Sequence, residues 1–217
     1  MVTVKLYGHT HSIWTHLVWA TAKEISVDID LVIVDLLKGE HKVPEFIENL
    51  NPFGMVPVLV DEDGTQIYES HAICRYLIAK YAPSSVLLPN PSDLKAYGLF
   101  EQAASIEYSN FSVWGHSIAI GRIVAPMKGL PVDEAEIEKA VETLTNNMKA
   151  YESILSKQKY LAGDAFTLAD LSHLQFGQVI NQFYPEIFSS QPHVKAWWDD
   201  ISQRESWKAT LELTGKH

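Results

Sequence analysis

The sequence predicts an α/β domain followed by an all-helical domain, and three observations support this division. Strand and helix patterns alternate over the first 82 residues, prolines and small polar residues cluster between residues 83 and 92, and no convincing strand pattern follows Asp93. We therefore expect a first domain at residues 1–82, a linker at residues 83–92 and a helical domain at residues 93–217.

The first half of the α/β domain is predicted to be a βαβ unit. Residues 2–7 alternate with the period of a strand, residues 12–23 carry apolar side chains on one helical face, and residues 28–34 are rich in Ile and Val. Two strands joined by such a helix are expected to be parallel, with a right-handed crossover.

The second half of this domain is predicted to be a hairpin and a helix. Strand patterns at residues 57–60 and 66–68 flank an acidic turn that ends in Gly64, a residue that tolerates positive φ. A helical pattern covers residues 69–81. The resulting order, β-α-β and then β-β-α, is that of a thioredoxin-like domain.

The remaining sequence predicts four long helices, at residues 93–121, 133–156, 168–181 and 192–204, with a break at residues 126–131. Before the third of these helices, Thr167 and Asp170 have the spacing of a capping box, and Phe166 can pack on Leu171. We interpret this segment as a device of the fold and not as a catalytic one.

Composition and charge narrow the possible functions. The formal net charge is −10, which disfavours binding to nucleic acid or to anionic membranes. The start of the chain lacks the pattern of a signal peptide, and no apolar run approaches the roughly 18 residues of a membrane span. We therefore expect a cytoplasmic protein.

The cysteine and histidine residues predict neither a disulfide nor a metal site. Cys74 is the one cysteine, lies within a predicted helix and is expected to be a small core residue. The nine histidines are scattered and show no ligand spacing. No metal or tightly bound cofactor is expected.

A proline at a strand start marks a candidate peptide-binding segment. The sequence from Asn51 to Pro57 reads NPFGMVP, and a cis Val56–Pro57 bond would leave the Val56 backbone able to pair with an extended peptide. The alternative is an ordinary turn before a strand, because cis X-Pro bonds are a minority.

Charged and polar residues flank this segment on both sides. Glu69 could pair with an amine, and Ser70 at a helix start could offer backbone N–H groups to a carboxylate. Upstream, His41 and Lys42 could bind a second carboxylate. The alternatives are a simple helix cap for Glu69 and Ser70 and a solvated charged loop for His41 and Lys42.

The joint occurrence of GEHK, NPFGMVP and ES in this order resembles the glutathione transferases. The run from Val34 through Gly54 is similar to the phi class of plants and fungi, and YLAGDAFTLADLSH at residues 160–173 is similar to the second-domain signature of the family. The resemblance implies that glutathione is the co-substrate and that His41, Lys42, Met55, Val56, Pro57, Glu69 and Ser70 bind it.

The same resemblance implies a role for each group and also shows three departures. Val56 would pair with the cysteinyl backbone, the Glu-Ser pair would bind the γ-glutamyl end, and His41 and Lys42 would bind the glycine carboxylate. The family often has Gln where Met55 stands and Arg where His71 and His16 stand.

Ser12 is the candidate catalytic residue. A transferase must raise the thiolate fraction of glutathione, and a hydroxyl donor at a helix N-terminus does this. By the phi-class resemblance that donor falls on Ser12, whereas the alternative is a Ser that only caps the helix. The rivals are Tyr7, Thr10 and His11.

The resemblance implies addition of the thiolate to a hydrophobic electrophile, typical of xenobiotic detoxification, or attack on a peroxide. The hydrophobic substrate or a phenolic ligand is expected between the domains. Its candidate contacts are His11, Ile13, Leu37, Phe111, Trp114 and His116. For the aromatic residues among them, helix core is an equal alternative.

Two further predictions concern assembly and activity. The resemblance implies a homodimer in which Phe53 docks into the partner subunit, as an aromatic residue at this position does in some family members, the alternative being an internal Phe53. Instead of an enzyme, a chain of this fold could be a weakly catalytic ligand carrier, a regulatory protein or an interaction module.

Overall fold

The computed structural model describes residues 3–215 and divides them into two compact units. The first unit contains the described residues up to Leu88 together with those from Glu205 onward, and the second contains Pro89–Arg204. The sequence had assigned the last residues to the helical domain. They join the first unit because their helix packs on the first helix of the chain and buries Trp207 there.

The first unit follows the predicted order of strands and helices. Its elements are β1 (Thr3–Gly8), α1 (Ile13–Glu24), β2 (Asp28–Ile33), a 3₁₀ turn (Glu40–Lys42), α2 (Pro44–Asn49), β3 (Val58–Val60), β4 (Gln66–Tyr68), α3 (Ser70–Tyr81), α11 (Glu205–Leu211) and a closing 3₁₀ turn (Glu212–Gly215). Val2, the predicted start of the first strand, lies outside the described residues. The short helix α2 was not predicted.

The four strands form one sheet in the order β2-β1-β3-β4. β1 and β2 are parallel, and the other two pairs are antiparallel. Fully buried side chains such as Leu6, Leu17, Leu59 and Leu77 fill the core between the sheet and its helices. The thioredoxin-like arrangement predicted from the sequence is confirmed.

The elements between residues 89 and 204 are helical, as predicted. They are α4 (Leu94–Ile106), a π-helical segment (Glu107–Ser112), α5 (Val113–Ala119), a second π-helical segment (Ile120–Val124), α6 (Ala125–Met127), α7 (Glu134–Leu155), α8 (Leu168–Phe183), α9 (Glu186–Ser189) and α10 (Pro192–Ser202). The first five follow one another without a break, so the first predicted helix continues to Met127.

The N-terminus of α8 carries the predicted capping box. Asp170 Oδ2 accepts from the Thr167 N–H and from the Thr167 hydroxyl, both at 3.0 Å. Asp170 Oδ1 accepts from the Leu161 N–H at 2.9 Å and from the Trp197 indole at 3.0 Å. Burial raises the pKa of Asp170, although these hydrogen bonds oppose the shift. The carboxylate therefore joins α8, α10 and the preceding loop.

Candidate functional site

All the segments predicted to bind the tripeptide lie at the same end of the strands, which is called the site edge of the sheet below. Tyr7 at the end of β1 lies beside Val58 at the start of β3, and Val58 lies beside Tyr68 at the end of β4. Tyr7 also pairs with Val32 near the end of β2. The stretches just beyond these residues contain Ser12, Val56 and Glu69. In open sheets, crevices at such strand ends are the usual ligand sites.

Ser12 is the N-cap of α1. Its Oγ accepts a hydrogen bond from the Thr15 N–H at 3.3 Å, and its own N–H donates to the His9 carbonyl at 2.9 Å. The side chain is 9% exposed. Because Oγ accepts in the cap, its hydroxyl proton is still available, and within residues 3–215 it has no acceptor. The cap and the predicted donor role are therefore compatible.

The three rivals of Ser12 have different surroundings. Tyr7 is half-buried and packs against the cluster of Val34, Phe46 and Val58. Thr10 is buried, whereas His11 is exposed. Only the hydroxyl of Ser12 combines burial with a position at the start of a long helix.

The segment before β3 has an ordered backbone in which Val56 has no hydrogen bond to its own N–H or C=O within residues 3–215. The Val56–Pro57 bond is cis, which is the first of the two alternatives that the sequence left open. The Asn51 side chain fixes the turn, because its Nδ2 donates to the Met55 carbonyl at 2.9 Å and its Oδ1 accepts from the Phe53 N–H at 3.0 Å.

The structure brings the predicted cation pair against this segment. Lys42 Nζ donates to the Phe53 carbonyl at 3.3 Å and lies 3.7 Å from Met55 Sδ. Gly54 has φ of +58°, and a Cβ there would lie 2.7 Å from the His41 carbonyl oxygen. The close approach and the positive φ both require glycine at this point.

Glu69 and Ser70 form an unusual helix start. Glu69 has φ of +70°, which is rare for a residue with a side chain. Its carboxylate makes no hydrogen bond or ion pair within residues 3–215, and no side chain caps the N-terminus of α3. Strain of this kind concentrates at ligand sites. By contrast, α1, α4 and α7 are each capped by a side chain.

The first turns of α1 and α3 meet through Trp14 and His71, whose rings lie 6.3 Å apart at 74°. Burial lowers the pKa of His71 to about 4, and the positive charge of Arg75 adds to the shift. This histidine is therefore neutral at physiological pH. The contact joins the Ser12 end of the site to its Glu69 end.

The residues predicted to contact the hydrophobic substrate differ in how far their side chains are exposed. His11 and Leu37 are exposed and Ile13 is half-buried in the first unit. In the second unit His116 is exposed, and half-buried Trp114 lies under Lys139 Nζ at 5.7 Å from its ring centroid.

Phe111 was predicted as a contact for the hydrophobic substrate, but the structure favours the core alternative. The side chain is fully buried among the rings of Tyr151, His173 and Phe188. The closest is His173, whose ring centroid lies 4.6 Å from that of Phe111. It lies in the π-helical segment, where the helical phase shifts. A side chain so enclosed offers no surface to a ligand.

Sequence reasoning missed two residues that hold the loop before α1. Thr15 Oγ1 accepts from the His9 N–H at 3.4 Å, and His16 Nε2 lies 2.6 Å from the Thr10 carbonyl oxygen. His16 was noted only as a departure from the family pattern. The available signal was its place one turn after Ser12, which lets its side chain reach back over the loop.

Residues 3–215 contain neither a group of metal ligands nor a helix suited to span a membrane. Within residues 3–215, no three His, Cys, Asp or Glu side chains are grouped as metal ligands would be. No helix in that range combines the length and the apolar character that crossing a bilayer requires.

Family models match both units of the chain. Residues 11–80 match the model described as the N-terminal domain of glutathione S-transferase, and residues 111–205 match that of its C-terminal domain. Among named relatives, glutathione S-transferase PM239X14 of Arabidopsis thaliana is 60% identical over 198 residues, which cover 91% of each chain.

Solved structures show the same architecture. Glutathione transferase F7 from Populus trichocarpa has a TM-score of 0.90 and 36% identity, covering 97% of this chain and 98% of that one. Glutathione S-transferase I from maize, solved with an atrazine glutathione conjugate, has a TM-score of 0.89 and 31% identity, covering 98% of each chain.

Proposed function

Since the chain belongs to the glutathione S-transferase family, with phi-class-like sequence, we propose that it joins glutathione to hydrophobic electrophiles and that Ser12 stabilises the thiolate. The observation that carries this proposal is the convergence of Ser12, Val56 and Glu69 at the site edge of the sheet. A peroxidase activity would use the same thiolate, with a peroxide oxygen in place of carbon.

The tripeptide would extend along the site edge of the sheet. The unpaired backbone of Val56 supports pairing with the cysteinyl residue as an added strand. The unpaired carboxylate of Glu69 suits the γ-glutamyl ammonium, and the uncapped start of α3 at Ser70 suits the adjacent carboxylate. His41 and Lys42 would bind the glycine carboxylate, since the Lys42 ammonium has three donors and the Phe53 carbonyl and Met55 Sδ engage two of them.

Ser12 would act on the sulfur. A free thiol has a pKa of about 8.5, so little thiolate exists at neutral pH. A hydroxyl that donates to the sulfur favours the charged form, and the N-terminal dipole of α1 acts in the same direction. The thiol releases its proton to solvent, the thiolate attacks an electrophilic carbon, and a leaving group such as chloride departs with the electrons of its bond to that carbon.

The conjugation of a chlorinated nitrobenzene tests this proposal. Ser12→Ala is expected to lower kcat/KM by about 100-fold, because it removes a donor that acts on the developing charge. The Kd for glutathione, measured by calorimetry, should change by less than about 3-fold, since the backbone and charged contacts of the tripeptide remain.

The control separates the donor from the helix cap. Asp133 caps α7 with the same kind of bond, accepting from the Glu136 N–H at 3.0 Å. Asp133→Ala removes a cap and should keep full activity. If Ser12→Ala were as active as Asp133→Ala, Ser12 would be only a cap. A wild-type chain that binds glutathione without turnover would support the ligand carrier instead.

We propose that His11, Ile13 and Leu37 of the first unit contact the hydrophobic substrate. Trp114 and His116 remain predicted contacts in the second unit, and Phe111 is no longer proposed as a contact because it is enclosed in the core.

We also propose a cytoplasmic location, with which a lone, buried cysteine is consistent.

We also propose a homodimer that uses Phe53. This ring is 67% exposed and contacts Tyr68 at 6.2 Å between centroids, so a large apolar surface is available. Phe53→Ala should shift the protein toward the monomer in sedimentation at micromolar concentration. Phe183→Ala, at an exposed Phe of the second unit, should not. A wild-type monomer would contradict the proposal.

A further inference from the structure

The loop between β1 and α1 is held from one side by the first turn of α1. Thr15 and His16 each reach back to it, the first to the His9 N–H and the second to the Thr10 carbonyl. Within the loop, the Ser12 N–H donates to the His9 carbonyl at 2.9 Å, and the His11 N–H donates to His9 Nδ1 at 3.1 Å. Four bonds thus order the four residues that end at Ser12.

The bond from His16 is the shortest and most enclosed of the four. Nε2 lies 2.6 Å from the Thr10 oxygen, and the two residues are 6% and 8% exposed. A carbonyl only accepts, so the proton of the ring is on Nε2. Burial lowers the pKa of His16, the Thr10 carbonyl partly opposes this, and His11 adds to the lowering, so the ring is neutral.

A second element supports the ring from the other end of the chain. Trp207 of α11 meets His16 edge to face, with centroids 6.4 Å apart at 78°. Trp207 is 1% exposed. This contact restrains the imidazole, and the imidazole in turn restrains the Thr10 carbonyl, two residues before Ser12.

We propose that His16 is a positioning residue for Ser12, which it holds toward the glutathione sulfur through its hydrogen bond to the Thr10 carbonyl. This inference rests on the proposed role of Ser12. A small displacement of a reacting group is enough to slow catalysis, and an unpaired buried carbonyl would favour such a displacement.

Matched substitutions test the hydrogen bond itself. His16→Gln keeps a side-chain N–H donor, whereas His16→Met has similar length and shape without one. The readouts are kcat/KM, the KM for glutathione, and the pKa of the bound thiol, followed through the ultraviolet absorbance of the thiolate. Thr21→Val is the control, because Thr21 is fully buried later in α1 and donates to the Leu17 carbonyl at 2.9 Å.

His16→Met is expected to lower kcat/KM by about 10- to 100-fold and to raise the pKa of the bound thiol, with KM nearly unchanged. His16→Gln should keep both kcat/KM and the pKa of the bound thiol close to their wild-type values. Thr21→Val should lower the melting temperature while leaving the thiol pKa at its wild-type value. This combination separates positioning from general stability.

Two results would overturn the inference. If Ser12→Ala raises the thiol pKa but His16→Met does not, Ser12 acts without His16. If His16→Met loses its cooperative unfolding transition while His16→Gln keeps it, the bond is a requirement of folding and not of positioning. If Ser12→Ala leaves the thiol pKa unchanged, the proposed function fails first, and that result is visible without any His16 variant.

Discussion

Two helix N-termini in this chain have a hydroxyl cap, and the two hydroxyls differ in what their protons bind. At α8, the Thr167 hydroxyl donates to Asp170, and the same carboxylate accepts from three further donors. At α1, the Ser12 hydroxyl accepts from the Thr15 N–H and donates to nothing within residues 3–215.

We interpret the α8 cap as structural and keep a functional role for the α1 cap as our proposal. The α8 cap is completely satisfied and enclosed, so its hydrogen bonds stabilise the fold. The α1 cap retains a proton at the site edge of the sheet, where the tripeptide segments converge. A polar group without a partner inside the protein is a candidate for a partner outside it.

The largest expected effect is at the structural cap. Asp170→Ala leaves buried donors from Leu161, Thr167 and Trp197 without an acceptor, so the free energy of unfolding should fall by about 3–5 kcal/mol. Denaturant titration measures this change. The kcat/KM per folded molecule should stay at the wild-type value.

The control for this change is Asp199→Ala. Asp199 forms an exposed pair with Lys195 on α10, so its loss should cost less than about 1 kcal/mol. A fall in kcat/KM of folded Asp170→Ala to the level of Ser12→Ala would erase the distinction between the two caps.

A smaller effect comes from His71, at the Glu69 end of the site. Its pKa falls from 6.5 to about 4 on folding, so the unfolded chain binds the proton more tightly. The stability that the neutral His71 gives to the folded state is fully present above pH 6.5, and it is lost as the pH falls toward 4. Stability should decrease by about 1.4 kcal/mol per pH unit in this interval because of His71.

Denaturant titrations across this interval test the assignment. His71→Gln should flatten the slope, whereas Thr21→Val, at a buried residue whose side chain does not titrate, should leave the slope unchanged. An unchanged slope in His71→Gln would assign the titration to another group.

The sequence predicted the strands and most helices of the first unit because each has a clear period and a turn signal at its end. It missed α2, whose six residues are too few to show a helical period and whose start is marked only by Pro44. The expected domain bounds put α11 with the helical domain, whereas α11 packs in the first unit, because the burial of Trp207 depends on packing that a local pattern does not contain.

The sequence likewise predicts the placement of some residues of the candidate site and not of others. A short motif was enough to predict that Val56, Glu69 and Ser70 lie at one end of the strands, and their contacts with glutathione stay a prediction. Phe111 was not, since the π-helical segment at Glu107–Ser112 shifts the face on which each aromatic residue lies. His16 was not, because its role is a contact with a backbone carbonyl, which any buried donor could make.

The most direct test of the account is the pKa of the glutathione thiol bound to wild type, to Ser12→Ala and to Thr167→Ala. We predict that Ser12→Ala raises this pKa by about 1 unit, because the donor to the sulfur is lost. Thr167→Ala should lower stability by about 1 kcal/mol and leave the thiol pKa unchanged. Equal thiol pKa values in all three proteins would contradict the claim that the Ser12 cap is functional.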